Sequence, residues 1–252
     1  MSGRLEFATM SSDSAPINLT HHFLIAMPGL NDELFGKSVV YLCEHSARGA
    51  LGLIINKPAD IGLGELFDRL ELPLRREDLR AAPLLRGGPL QTERGFVLHE
   101  AMGEVQPVGS DETPPAIREA IREALGQLAR AAASDSQAES GAADAETAET
   151  APELPTAYAS SMRIGGGLEM TTSRDVLEAV SSGAGPRKLL VSLGYSSWGE
   201  GQLESELAEN SWLSVEADPA VIFDTPVERR YEKAMALLGL EPWMLAPGSG
   251  RA

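Results

Sequence analysis

Residues 133–155, ASDSQAESGAADAETAETAPELP, constrain the fold more than any other stretch of the chain. They carry Asp135, Glu139, Asp144, Glu146, Glu149 and Glu153, no lysine or arginine, no aromatic, and one large aliphatic, Leu154. Such a segment cannot bury enough apolar area to offset the entropy of ordering it, so it is expected to be disordered. Strand-like patterning stops before it and resumes after it. The segment therefore reads as part of an insertion, residues 107–157, within one domain of 17–243. Residues 1–16 and 244–252 read as a flexible extension and a flexible tail. Any core must be closed by two pieces of chain that meet across the insertion.

The first piece opens with short apolar runs rich in β-branched and aromatic residues. Strands are expected at Phe23–Met27, Ser38–His45 and Leu51–Asn56, the last two forming a hairpin around Gly49–Ala50. Pro58 is expected to end the third, because proline cannot donate to a ladder. Gly62–Leu72 places Leu63, Leu66, Phe67 and Leu70 on one helical face. PLLRGGPL and RGFVLHEA then read as strand, glycine turn, strand. Pro114–Ala133, with Ile117, Ile121, Leu125 and Leu128 at helical spacing, reads as an amphipathic helix.

The second piece reads MRIGGGLEMTT, two short strands around glycines. A helix follows, with Ser173 as N-cap and Val176, Leu177 and Val180 as its apolar stripe. KLLVSL is a buried strand and Gln202–Asn210 a helix. WLSVEAD and AVIFD read as strands, and a last helix runs from near Pro226 to before Gly239.

Charge narrows the function. The 252-residue chain carries a formal charge of −16, and removing the acidic run leaves it strongly negative. Duplex binding needs a cationic face, and there is no basic stripe or helix-turn-helix pattern, so direct nucleic-acid binding is not expected. Anionic membranes are disfavoured for the same reason. No apolar run approaches the roughly 20 residues that cross a bilayer. The N-terminus has no secretory apolar region, so the expected location is cytoplasmic. The single Cys43 excludes an internal disulfide and a multi-cysteine metal site.

Three motifs fall short of known chemistry. Gly194-Tyr195-Ser196-Ser197-Trp198 lies where a nucleophile elbow would, but Trp198 stands where glycine is needed, and all four histidines precede Ser196. NDELFGKS ends like a phosphate-binding loop, but Asn31 replaces its first glycine and a strand follows the lysine. GLGELF lacks the third glycine of a dinucleotide fingerprint. Cys43 and His45 alternate so as to share a strand face with Tyr41, which gives a thiolate–imidazole pair as a conceivable catalytic site. No metal ligands occur at metal spacing, and no cofactor is expected.

Several long stretches, in order, resemble the YqgE/AlgH family of bacterial proteins. They are LIAMPGLNDELFGKSVVYLCEHSARGALGLIINKP, LLRGGPLQTERGFVLHE, EMTTSRDVLEAV and LGYSSWGEGQLESELAENSWLSVEAD, and they cover about 17–106 and 158–242. The resemblance implies a single α+β domain, with a strongly bent, bifurcated mixed sheet forming a pseudo-barrel flanked by helices. It brings no catalytic residue set. The label of transcriptional regulator that some members carry fits this chain only through protein partners.

The functional expectation is a ligand- or protein-binding domain. Its candidate residues sit on three expected loops: Asn56 and Lys57; Arg86, Gly87 and Gly88; and Tyr195, Ser196, Ser197, Trp198 and Gln202. Lys57 and Arg86 offer cations, Gly87 and Gly88 exposed amides, and Tyr195 and Trp198 aromatic faces. That set suits a small anion with a planar part, such as a nucleotide or phosphorylated metabolite. The alternatives are a hydrolase or thiol-dependent enzyme at Cys43 and His45, and an acidic adaptor using residues 133–155. The acidic run is expected to be dispensable for folding, so deleting 134–153 and joining the ends by a short flexible link leaves thermal melting near that of the intact chain.

Overall fold

The computed structural model describes residues 18–30, 32–102, 158, 160–241 and 244. The N-terminal extension, the helix expected over 114–133, the acidic segment and, apart from Met244, the tail lie outside them. Ten strands form one strongly curled sheet. In chain order they are β1 (His22–Ala26), β2 (Val39–Ser46), β3 (Gly49–Ile54), β4 (Pro58–Gly62), β5 (Pro83–Arg86), β6 (Leu90–Glu100), β7 (Ser161–Arg163), β8 (Leu168–Thr171), β9 (Leu189–Trp198) and β10 (Trp212–Glu216). The helices are α1 (Leu63–Arg69), α2 (Glu77–Arg80), α3 (Arg174–Ser182), α4 (Gln202–Ala208), α5 (Pro219–Phe223) and α6 (Arg230–Leu237), the last preceded by a 3₁₀ turn at Val227–Arg229. The architecture is α+β.

The strand order is β10-β1-β2-β3-β9-β6-β8-β7, and β9 is where the sheet forks. One edge of β9 is followed by β6, from His99 opposite Leu189 to Leu90 opposite Tyr195. Its other edge meets two strands in succession. Leu85 and Arg86 of β5 run parallel to Ser192 and Leu193, and β3 then pairs antiparallel with Ser196–Trp198. β5 in turn pairs with β4. The only parallel pairing among the described strands is β5 with β9.

Gly194 makes this fork possible. It lies within β9 at φ +71°, in the left-handed region that favours glycine. The β6–β9 register shifts across this point, between Leu90 and Gly95. A Cβ on Gly194 would lie 2.7 Å from the Gly88 carbonyl oxygen and 2.8 Å from that of Leu90. The strand does not end at Gly194, as the sequence suggested. It bulges there and continues through Tyr195-Ser196-Ser197-Trp198, so this stretch is strand and not loop.

Apolar residues on the two faces of the sheet build three clusters. The first, inside the curl, joins Tyr41, Phe96 and Tyr195 to Ile222 of α5 and Tyr231 and Met235 of α6. The second lies outside β1–β3 and holds Trp198, Leu203 of α4 and Trp212. The third packs Phe67 of α1 and Val176 and Val180 of α3 on Val97 and Val191. Arg230 of α6 is buried and donates to the carbonyl oxygens of Ile55 and Thr225. Burial pushes its guanidinium down to about 10, so it stays charged at neutral pH and ties α6 to the end of β3.

Three elements differ from expectation. AVIFD is helical: Asp218 Oδ1 accepts from the Ala220 N–H at 2.8 Å and Pro219 opens the first turn. That N-cap chemistry outweighs the strand propensity of Val221 and Ile222. Pro58 begins β4 instead of only ending its predecessor, a position where its missing N–H is tolerated. The strands either side of Gly87–Gly88 pair with opposite edges of β9 and not with each other. Gly88 is the tight point of that crossing. A Cβ there would lie 2.2 Å from the Tyr195 carbonyl carbon and oxygen, whereas one on Gly95 meets nothing within 4 Å. Gly88→Ala is expected to cost about 3 kcal/mol in urea unfolding, because β9 backbone must move, and Gly95→Ala close to nothing.

Candidate functional site

The expected loop residues separate into structural roles and one surface groove. Tyr195 and Trp198 lie in different cores. Tyr195 packs beside Phe96 in the first cluster, with ring centroids 5.4 Å apart. Trp198 belongs to the second cluster, its ring edge-on to Trp212 at 6.0 Å. Ser196 is buried, its Oγ donating to the Gly87 carbonyl oxygen at 3.3 Å. Ser197 stands opposite Leu51 in the ladder to β3. These side chains do not converge on one pocket, because a strand sends successive residues to opposite faces.

Gln202 and Trp198 serve a clamp on α4. Gly201 precedes the helix at φ +69°, and the Gln202 side chain accepts from the Gly199 N–H at 3.0 Å. Its amide donates to Glu206 Oε1 at 2.9 Å. Glu206 Oε2 accepts from both indoles, Trp198 Nε1 at 2.9 Å and Trp212 Nε1 at 2.7 Å. One carboxylate thus satisfies two indole N–H groups that would otherwise be left without an acceptor.

Asn56 and Lys57 are also committed to the fold. Asn56 Oδ1 accepts from the Val39 N–H and its Nδ2 donates to the Lys37 carbonyl, both at 2.8 Å. Lys57 Nζ donates to the Gly36 carbonyl at 2.7 Å. Gly87 and Gly88 are buried, and the Gly87 N–H is spent on Leu193 O at 2.8 Å. Gly87 exposes no amide for a ligand. Both glycines allow the close approach to β9.

Cys43 and His45 do not form a pair. Register shifts between Leu42 and Glu44, so Cys43 is the extra residue of a β-bulge. The bulge breaks the alternation that would place Cys43 and His45 on one face. Cys43 stays in the first cluster with Tyr41, and burial pushes its thiol up, away from the thiolate a nucleophile needs. His45 turns to the other side. Its Nδ1 accepts from the Leu19 N–H at 3.0 Å, so Nε2 carries the hydrogen and donates to Glu204 Oε1 at 3.0 Å.

What remains of the candidate set is a groove of about 410 Å³, lined by Arg69, Arg86, Asp60, Gly88, Thr92 and the apolar Ala59, Ile61, Pro89 and Leu193, with Leu34 at its edge. Arg86 comes from the end of β5, and Arg69 from the last turn of α1. Each is paired with an exposed carboxylate, Arg86 with Asp60 at 3.1 Å and Arg69 with Glu65 at 2.6 Å. Lys57 is held below its usual range by burial first, then by the neighbouring cations Lys37 and Arg86. Lys37, Lys57 and Arg86 thus lie within electrostatic reach of one another, with Asp32 opposing them. Arg69, Asp60 and Thr92 were not legible as site residues, since nothing in the sequence places them beside Arg86. A larger concavity, about 710 Å³, is lined by Arg76, Asp78, Glu100, Arg187 and Lys188. There Arg76 is spent on Asp78 and on the carbonyls of Pro186 and Arg187, and Lys188 on Asp224.

The clamp gives a direct test of how the opening stretch of α4 is held. Glu206→Leu leaves two indole donors without their acceptor and is expected to lower stability by about 2 kcal/mol. Urea unfolding followed by tryptophan emission measures it, with Glu209→Leu on the exposed side of the same helix end as the control.

Comparison with known proteins agrees with this architecture. The AlgH-like family model matches residues 23–243. A UPF0301 protein of Paracidovorax citrulli is 63% identical over 243 residues, 96% of this chain and all of the relative. One from a Polaromonas species is 58% identical over the same span, with the same coverage. The solution structure of the AlgH protein from Pseudomonas aeruginosa matches with TM-score 0.58 and 37% identity, over 95% of this chain and 98% of that one. A crystal structure of a Corynebacterium diphtheriae protein shares the fold at TM-score 0.56 and 15% identity, over 91% and 92% of the two chains. With the forked sheet, the family model and the close relatives in agreement, the chain belongs to the AlgH-like family.

Proposed function

We propose that the chain is a binding domain that acts by recognition and not by catalysis, and that the groove between α1, β4 and the start of β6 receives an anionic group with an apolar part. The observation that supports it most is that Arg69 and Arg86 line one groove together with apolar side chains. Arginine presents a planar fork of donors that matches carboxylate and phosphate. Among the described residues both are held by exposed carboxylates, and such surface pairs contribute little, so an incoming anion displaces them at small cost. Lys37 and Lys57 add positive potential nearby.

The ligand class is a small phosphorylated or carboxylated metabolite, or an acidic side chain of a protein partner. Regulation through such a partner accommodates the overall charge of −16, which opposes direct nucleic-acid binding. A cytoplasmic setting fits the single unpaired cysteine. No helix among the described residues is long and apolar enough to cross a membrane.

Titration of the protein with AMP, glucose 6-phosphate and citrate, followed by calorimetry, tests the reading. At least one is expected to bind, and Arg86→Ala and Arg69→Ala each to weaken it about 10-fold or more, with melting within a degree or two of the parent. Binding that survives both substitutions, or none of the three anions binding at millimolar concentration, overturns it.

A further inference from the structure

Lysines stand at positions 37, 57, 188 and 233 of the chain, and one is held differently from the rest. Lys188 bonds the Asp224 carboxylate at 2.8 Å, which favours its ammonium. Lys37 and Lys233 are exposed to water. Lys57 is half-buried, and its Nζ donates to an uncharged partner, the Gly36 carbonyl, at 2.7 Å. Among the described residues it forms no ion pair.

Backbone pairing sets a second cation beside it. Pro58 stands opposite Leu85, and the ladder runs one residue further, with the Arg86 N–H donating to the Lys57 carbonyl oxygen at 2.8 Å. Lys57 and Arg86 are therefore directly opposed. Residues so placed send their side chains to one face, with Cβ atoms about 5 Å apart. Asn56 Nδ2 bonds the Lys37 carbonyl, so the Gly36–Lys37 backbone is held against Asn56 and Lys57. Burial first, then Lys37 and Arg86, hold the Lys57 ammonium below the usual lysine range, against the opposing pull of Asp32.

These surroundings act twice in the same direction. Burial and neighbouring cations favour the neutral amine, which is the nucleophilic form. The same cations stabilise a negative charge formed on that nitrogen's substituent. The reaction favoured by both effects turns a neutral amine into an anion.

We propose that Lys57 is a carbamylation site, at which Nζ adds carbon dioxide. The Nζ lone pair forms a bond to the carbon of CO₂, one C=O π pair moves onto oxygen, and the nitrogen gives a proton to water. The chain gains one CO₂ and loses one proton. The product nitrogen keeps a hydrogen for the Gly36 carbonyl. Its new carboxylate takes the guanidinium fork of Arg86, in competition with Asp60, whose side chain is 92% exposed. Lys37 adds positive charge. The side chain at 57 thereby changes from positive to negative beside Arg86, which lines the groove. The modification does not require that the groove hold a ligand.

The test places the full-length chain in ¹³C-bicarbonate near neutral pH and follows the carbamate carbon by NMR. Ethylation with a trialkyloxonium salt then fixes the adduct for peptide mass spectrometry. The N-terminal amine, which ordinarily titrates near pH 8, serves as the internal control for reaction with CO₂. The expected result is a carbamate at Lys57 that saturates with CO₂, is absent from Lys188 and Lys233, and disappears in Lys57→Gln. Arg86→Gln and Lys37→Gln are each expected to lower the carbamylated fraction at a fixed CO₂ concentration about 3-fold or more. Both alter exposed side chains, so the folded chain is retained. Three results overturn the proposal: no adduct at Lys57 while the N-terminal amine reacts, equal modification of all the lysines, or a Lys57 carbamate unchanged in both cation variants.

Discussion

The structure depends on one strand that serves two branches of sheet. β9 takes β6 along one edge and hands its other edge from β5 to β3. That handover needs a residue able to bulge at φ +71° and a neighbouring segment able to press against it without side chains. Gly194 meets the first need, and Gly87 and Gly88 the second. The curl of the sheet, the enclosure of the first cluster and the emergence of Arg86 at the groove follow from this contact. The stretch that looks most like an active-site loop, Gly194–Trp198, is the backbone joint of the fold.

Much of the architecture is legible in the sequence, and the reasons are local. Alternation in VVYLCEHS and the hairpin at Gly49 specify β2 and β3, and helical spacing of Val176 and Val180 specifies α3. What the sequence hides is pairing across distance. β5 and β6 look like a hairpin because a short glycine turn joins them, yet both seek β9, about 100 residues away. The bulge at Cys43 is equally hidden, since an alternating apolar run carries no mark of the residue at which register slips. The surroundings of Arg86 were hidden for the same reason. Arg86 was identifiable as a cation after a strand, but its neighbours Arg69, Asp60 and Thr92 come from elements that only tertiary packing assembles.

Many polar groups below the surface are saturated. Glu206 serves two indoles, Asn56 bridges two backbone groups and His45 is bonded at both ring nitrogens. Saturated networks hold a fold in one arrangement and offer nothing to a ligand.

The strand order also bears on how the chain folds as it is made. β1 pairs with β10, His22 opposite Glu216, and β3 pairs with β9, Ala50 opposite Trp198. The first three strands therefore leave the ribosome long before their outer partners exist. Until the last third of the chain emerges, β1 and β3 each present an open apolar edge, the kind of edge that pairs readily with other chains. Closure waits on contacts of high sequence separation, which slow folding. For this protein, synthesis from N- to C-terminus creates an interval in which β1 and β3 wait for their partners, and edge-to-edge pairing with other chains competes with closure during it.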